Sequence, residues 1–227
     1  MLLFSLSVHE TAHAWTASRL GDQTARMLGR ISLNPKDHID PIGTLLIPAI
    51  AIFGPLIGWG FLGPYIFGWA KPVPIMSRNF RNFRRDDMLV SLAGPASNLA
   101  LAILAGLLIR VGYEWHFFSA PHAIATSRLA IGPNGGAMDL LAQVLSIFLS
   151  LNLLLCAFNL LPVPPLDGSK APLLLLPASM AEKYDAALSS PILRYAGIIL
   201  ASRLIPPILP KLLIGAASVI YPTVHYF

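Results

Sequence analysis

Residues 140–166 decide the fold, and they read LLAQVLSIFLSLNLLLCAFNLLPVPPL without a single Asp, Glu, Lys or Arg. A helix needs about 20 apolar residues to cross the hydrocarbon core of a bilayer, so this run is long enough to span it. An unusually apolar soluble core is the alternative, but it would require several buried helices of this length in one small protein. The run therefore predicts a membrane-spanning helix.

Two more charge-free runs occupy residues 42–70 and 89–109, and less regular apolar stretches lie at residues 1–20 and about 193–224. Only 12% of the residues are charged and the mean hydropathy is +0.66, whereas a soluble domain carries about 25% charge. We predict an all-α polytopic membrane protein with about 4–6 transmembrane helices. It would form a single membrane-embedded domain over residues 1–227, with a core at 1–170 and C-terminal hydrophobic helices at about 193–224.

The net charge of +5 raises the question of a nucleic-acid partner. The basic residues lie in short loops between apolar runs, where membrane proteins concentrate them. Even the most basic stretch, residues 78–85, is better explained by contact with anionic lipid. The lone Cys156, inside an apolar run, excludes a disulfide and indicates a packing role. The partner predicted by the charge pattern is the lipid bilayer and not nucleic acid.

The segment His9-Glu10-Thr11-Ala12-His13 fits the H-E-x-x-H pattern. On a helix, residues four apart lie on one face, so both imidazoles can bind one zinc ion. Glu10 can then reach a zinc-bound water and act as its general base. The alternative is that the histidines hydrogen-bond neighbouring helices. A charged residue in a membrane helix costs at least ~2.5–3.5 kcal/mol, which favours a metal partner.

A catalytic zinc takes three protein ligands and keeps one position open, so two histidines leave one ligand to be found. The apolar run 140–166 is followed at once by Asp167 and Gly168. Prolines, which end helices and force extended backbone, precede this carboxylate at positions 162, 164 and 165. We predict Asp167 as the third ligand, with the N-cap of the following segment as its alternative role.

With these motifs, the chain resembles the site-2 proteases, the membrane-embedded zinc metalloproteases of peptidase family M50. The resemblance covers residues 5 to about 170 and includes a third motif, GPASN at residues 94–98. It implies that Asp167 completes the zinc site. It also implies that Asn159 lies beside the active centre, as a polar group for the tetrahedral intermediate. The GPASN segment is similar to the family's central-helix motif, whose small residues permit close helix packing.

Residues 29–35 (GRISLNP) and 38–43 (HIDPIG) are similar to the compact bacterial and archaeal branch of that family. No segment is long or polar enough for the inserted PDZ domain that many relatives carry. His38 is a further potential ligand, but its polar loop, with Lys36 and Asp37, favours a solvated or substrate-side role. Lys170 receives no role.

Two basic loops, at residues 19–41 and 71–88, flank the apolar run 42–70. A single crossing by this run would put the loops on opposite faces, against the positive-inside tendency. It would also keep Asp167 away from His13. The prolines and glycines of the run can break a helix, so we predict a re-entrant or broken segment at 42–70. Both loops would then face the cytoplasm, with the zinc nearer that side.

Taken together, motifs and resemblance predict an intramembrane zinc metalloprotease in a prokaryotic cell (inner) membrane. It would hydrolyse peptide bonds in or near transmembrane segments of membrane proteins, with Glu10 as general base. Its substrate partner would be a transmembrane helix. The alternatives are a catalytically inactive scaffold of the same type and a metal-dependent transporter, which internal repeats would favour. The oligomeric state is left open by the sequence.

Overall fold

The structure, a computed structural model, describes residues 1–46, 49–50, 71–224 and 226. Over these ranges the chain is built from helices and irregular segments, without a β-strand, which confirms the predicted all-α class. The α-helices are α1 (Leu2–Leu20), α2 (Thr24–Met27), α3 (Phe83–Glu114), α4 (Ala137–Asn159), α5 (Ala178–Leu188) and α6 (Pro191–Ile220). A 3-10 helix, Asp167–Leu174, follows α4.

Three of the described helices, α3, α4 and α6, are long and apolar enough to cross a membrane. They match the charge-free run 89–109, the run 140–166 and the C-terminal stretch, so the predicted membrane-protein fold is confirmed. α6 continues through three prolines, at positions 206, 207 and 210. The re-entrant segment predicted at 42–70 falls mostly on residues 47–48 and 51–70, which lie outside the described residues.

The chain divides into two compact units. The first comprises residues 1–94 and 172–181, and the second comprises residues 95–171 and 182–227. In the first unit, small core residues of α1 pack on the segments that follow it, in clusters formed by Ala14, Ala25 and Val73 and by Ala17, Phe80 and Val90. The second unit has a larger apolar core, to which α3, α4 and α6 contribute. The single protease domain over residues 1–227 stays a prediction.

The two basic loops of the first unit lie side by side. The Lys71 backbone N–H donates to the carbonyl of His38 at 2.9 Å. The Asp22 carboxylate accepts from the backbone N–H of Met76 at 2.7 Å and from the side-chain amide of Asn79 at 2.8 Å. The two loops are therefore in direct contact within the first unit.

Helix α4 ends at Asn159, shortly before Pro162, as the prolines at positions 162, 164 and 165 predicted. The peptide bond between Pro164 and Pro165 is cis. A Cβ at Gly168 would lie 2.3 Å from the carbonyl oxygen of Leu160, so only glycine permits this close approach of backbone to backbone. The loop that carries Asp167 is thereby packed against the end of α4.

Candidate metal centre

Helix α1 presents His9 and His13 one turn apart on its buried face. Their side chains are almost excluded from solvent, at 5% and 6% exposure. The two Nε2 atoms are 3.0 Å apart, and the rings are nearly perpendicular, at 84°. The spacing of four residues has therefore produced the convergence of two imidazoles that the H-E-x-x-H pattern predicts.

A main-chain contact to α3 fixes the tautomer of His13. The Nδ1 atom of His13 lies 2.7 Å from the carbonyl oxygen of Val90. A carbonyl can only accept, so Nδ1 carries the proton and Nε2 keeps its lone pair for a metal. Oriented imidazoles of this kind, with one nitrogen held by a carbonyl, are the usual arrangement among metal-binding histidines.

Gly94 lets the two rings approach α3. A Cβ at this position would lie 2.3 Å from Nε2 of His13 and 2.5 Å from Cε1 of His9. Both separations are shorter than any non-bonded contact, so every side chain larger than hydrogen would displace the imidazoles. The expectation that the small residues at 94–98 permit close packing is borne out at Gly94, whose packing partner is the histidine pair.

The pair fits zinc. Zinc–nitrogen bonds are about 2.0–2.1 Å long in tetrahedral sites, which separates neighbouring ligand nitrogens by about 3.3 Å. The observed 3.0 Å between the Nε2 atoms is close to that value. Nitrogen donors of borderline softness, held in a buried pocket with a fixed tautomer, are the donors that zinc prefers.

Glu10 stands between the two histidines in sequence and is half-buried. Its Oε2 atom accepts a hydrogen bond from the backbone N–H of Val73 at 3.0 Å. The sequence reasoning did not find Val73. The signal was present in Lys71-Pro72-Val73-Pro74, because the two prolines leave one backbone donor between positions 71 and 75.

His38 departs from its predicted surroundings. The expectation of a solvated side chain is wrong, since His38 is 2% exposed. Its Nε2 donates to the carbonyl oxygen of Ser32 at 2.7 Å, and the same oxygen accepts from the Thr11 hydroxyl at 2.5 Å. The polar neighbours Lys36 and Asp37 misled the prediction, because the turn that they form folds the imidazole inward against α1.

Asp167 and Asn159 belong to the second unit. Asp167 is half-buried and is the first residue of the 3-10 helix Asp167–Leu174. Asn159 is the last residue of α4, and its side-chain amide donates to the carbonyl of Leu155 at 3.0 Å. Lys170, for which no role was predicted, forms an ion pair with Asp185.

A buried histidine pair with a neighbouring glutamate, in a chain of apolar helices, defines a membrane-bound zinc metallopeptidase as the class of protein. The sequence profile of peptidase family M50 matches residues 1–202. The chain belongs to peptidase family M50.

The relatives that match this chain are named as zinc metalloproteases. "Putative zinc metalloprotease YwhC" of Bacillus subtilis is 39% identical over 186 residues, which cover 82% of this chain and 72% of that protein. "Putative zinc metalloprotease Rip2" of Mycolicibacterium smegmatis is 34% identical over 166 residues, 73% of this chain and 52% of the relative. Rip2 of Mycobacterium tuberculosis is 34% identical over 169 residues, 74% of this chain and 53% of the relative. The chain thus spans about half the length of the Rip2 relatives.

No solved structure matches the chain. Family membership, named relatives and the histidine pair together identify a zinc metalloprotease of the site-2 protease type, embedded in a membrane through apolar helices.

Proposed function

We propose that this metalloprotease cleaves peptide bonds in or near transmembrane segments of other membrane proteins, with Glu10 as its general base. The observation that carries the proposal is the position of the Glu10 carboxylate, next to His9 in sequence and held by the Val73 N–H at 3.0 Å. A glutamate next in sequence to a zinc-binding histidine is the usual general base in metal-assisted peptide hydrolysis, which supports this role for Glu10.

Zinc held by His9 and His13 would supply a Lewis acid that polarises the scissile carbonyl and acidifies a water molecule. The residues of the chain do the rest. The Val90 carbonyl accepts from Nδ1–H of His13, which leaves Nε2 as the nitrogen that would bind the metal. Glu10 takes the proton from the attacking water on its carboxylate and later delivers it to the leaving nitrogen.

Two residues of the second unit complete the proposed machinery. Asp167 would be the third zinc ligand, since a catalytic zinc needs three and α1 offers two. Asn159 would donate an amide N–H to the oxyanion of the tetrahedral intermediate. An asparagine amide has two N–H groups, and one of them is engaged by the Leu155 carbonyl, which orients the other.

The apolar surface of the chain supports a substrate that lies in the membrane. The apolar helices of this chain have exposed leucines and isoleucines along their length, for example Ile103 and Leu107 on α3, as expected for lipid-facing surfaces. A partner that reaches the protein within the bilayer is itself a transmembrane helix. Its scissile amide must leave the helical hydrogen-bond pattern before hydrolysis, so segments with weak helix propensity are favoured substrates.

A cleavage assay tests the proposal. Glu10→Gln keeps the size of the side chain but removes the base, whereas Glu182→Gln makes the same chemical change on an exposed face of α5. With a helical transmembrane substrate in liposomes, we expect Glu10→Gln to lose at least about 10²-fold in rate, and Glu182→Gln to match wild type. Zinc content should be equal in all three proteins.

Equal cleavage by wild type and Glu10→Gln would refute the role of Glu10. Zinc binding without cleavage of any membrane substrate, in wild type as well, would instead indicate the inactive scaffold. Loss of zinc in Asp167→Asn, with zinc retained in Asp37→Asn, is the outcome expected if Asp167 is a ligand.

We further propose the cell membrane as the location, with the zinc nearer the cytoplasm. The support is the excess of Lys and Arg in the loops 19–41 and 71–88. In a Cys156→Ala background, single cysteines at positions 40 and 72 should react with an impermeant thiol reagent from the cytoplasmic side only. Labelling of the two positions from opposite sides would contradict this topology.

A further inference from the structure

A chain of hydrogen bonds in the first unit starts at Thr11 on α1 and leads away from the helix. The Thr11 hydroxyl donates to the carbonyl oxygen of Ser32 at 2.5 Å, and His38 Nε2 donates to the same oxygen at 2.7 Å. The carbonyl of His38 in turn accepts from the backbone N–H of Lys71 at 2.9 Å. The His38 ring therefore closes the loop 30–40 onto the Ser32 carbonyl that Thr11 of α1 also binds, and the His38 backbone joins this loop to the segment 71–76.

The chain of bonds returns to α1 at Glu10, the residue next to Thr11. Two residues beyond Lys71, the N–H of Val73 donates to Glu10 Oε2 at 3.0 Å. Pro72 and Pro74 flank this donor, fix the backbone dihedrals around it and have no N–H of their own. The rigid segment thus offers a single amide to the carboxylate, and the bond between Lys71 and His38 is one of the contacts that hold the segment, beside the bond from Arg30 to the Lys71 carbonyl.

We propose that His38 is a positioning residue for the base Glu10, which rests on the proposed function of that carboxylate. A glutamate side chain rotates about three bonds, and a hydrogen bond to a fixed backbone donor reduces this freedom. A shift of about 1 Å in a catalytic group can cost ~10²-fold in rate. Loss of the His38 ring would loosen the loop 30–40, and with it the Lys71 and Val73 amides.

The His38 ring acts as a hydrogen-bond donor in this network. Its Nε2 faces a carbonyl oxygen, which only accepts, so this nitrogen carries a proton and has no lone pair for a metal. At 2% exposure, the ring is buried. The role proposed for His38, in which it acts through Val73 on Glu10, was not predicted from the sequence.

Three substitutions separate a positioning role from general destabilisation. A glutamine amide nitrogen reaches about as far from the backbone as imidazole Nε2, whereas an asparagine amide nitrogen reaches only as far as Nδ1. We expect His38→Gln to keep most of the wild-type kcat. His38→Asn and His38→Ala should lose about 10- to 100-fold in kcat, with KM and zinc content unchanged.

Failure of this inference is distinguishable from failure of the proposed function. If Glu10→Gln is inactive but His38→Ala and His38→Asn cleave like wild type, or His38→Gln is as poor as His38→Ala, His38 does not position the base. If Glu10→Gln itself cleaves normally, the proposed function fails first.

A change to the backbone at Val73 tests the proposal even if the His38 variants do not fold. Replacing Val73 by its α-hydroxy acid removes the N–H but keeps the side chain. The same change at Ile75 is the matched control. We expect the ester at 73 to lower kcat by about 10-fold or more at constant zinc content, and the ester at 75 to have a smaller effect. Equal rates for the two esters and the wild type would overturn the proposal.

Discussion

The two compact units bury their polar side chains in different ways. In the first unit, buried carboxylates and imidazoles bind the main chain of distant segments: Asp22 accepts from Met76, and His13 donates to Val90. In the second unit, buried polar side chains also bind within and between helices: Ser146 donates to Ala142, one turn earlier on α4, and accepts from the backbone N–H groups of Leu129 and Ala130. Asparagines on α3 and α4 also pair with each other, 3.0 Å apart, at positions 98 and 152.

The difference assigns different tasks to the two units. In the first, irregular segments have no helical pattern to hold them, so single side chains determine where the Glu10 and histidine atoms lie. In the second, a large apolar core supports regular helices, so the loss of one hydrogen bond leaves the backbone in place. Substitutions at the contacts of the histidines and of Glu10 in the first unit should therefore alter zinc binding or rate. Substitutions in the helical core of the second unit, away from Asp167 and Asn159, should alter stability alone.

The largest effect is expected at Gly94, where a methyl group would overlap the histidine rings. Gly94→Ala should lower zinc affinity by about 10- to 100-fold, because both imidazoles must move out of their ligand geometry. Gly215→Ala is the matched control, since a Cβ there meets no atom within 4 Å, and alanine in a helix is slightly stabilising. Calorimetric zinc titration measures both. Unchanged affinity in Gly94→Ala would separate the histidine pair from the zinc site.

The second effect in size is a loss of stability at Asp22. This residue lies outside the three candidate spans and joins the two basic loops. Burial alone would raise the pKa of Asp22. The hydrogen bonds from Met76, Thr24 and Asn79 outweigh burial and hold this pKa below its ordinary value. A lowered native pKa stabilises the fold above the unfolded value of about 3.9, and this stabilisation is lost as the pH falls through the native pKa.

Asp22→Asn should therefore be less stable than wild type by about 1–3 kcal/mol at pH 7. The difference should shrink when both proteins are unfolded below about pH 4, because only the wild type loses a charge-assisted interaction there. Thermal unfolding in detergent micelles at pH 7, 5 and 3 measures this. A difference independent of pH would show that the Asp22 charge does not contribute.

The smallest effect is expected in the second unit. Asn98→Ala removes the side-chain amide that donates to Asn152 and with it the hydrogen bond that joins α3 to α4. Hydrogen bonds between membrane helices are worth about 0.6–1 kcal/mol, so we expect a loss of that order in thermal unfolding with full zinc content. A large loss of zinc at unchanged stability would show that the two units do not divide their tasks as proposed.

Local patterns predicted much of this molecule. Charge-free runs predicted α3 and α4, because a long apolar helix is readable from composition alone. The spacing of His9 and His13 predicted their convergence, since four residues make about one helical turn. The three prolines after Asn159 predicted the end of α4.

Contacts between residues far apart in the chain could not be predicted from the sequence. The burial of His38 depends on a turn that brings it onto Ser32 and Thr11, and its polar neighbours gave the opposite indication. The donor for Glu10 lies 63 residues further along the chain, at Val73. Every residue except proline has a backbone N–H, so the sequence does not single out Val73 as the donor. The flanking prolines were the one indication of it. The close packing expected at Gly94 is present, but the sequence did not indicate that the two imidazoles are its partners.

The most direct test of the account is the metal content and coordination of the purified protein. X-ray absorption at the zinc edge should show one zinc per chain, with two imidazole ligands at about 2.0–2.1 Å and oxygen donors completing the shell. Substitution of both His9 and His13 by alanine should abolish stoichiometric zinc. Zinc retained at one per chain in that double variant, with imidazole scattering unchanged, would contradict the account.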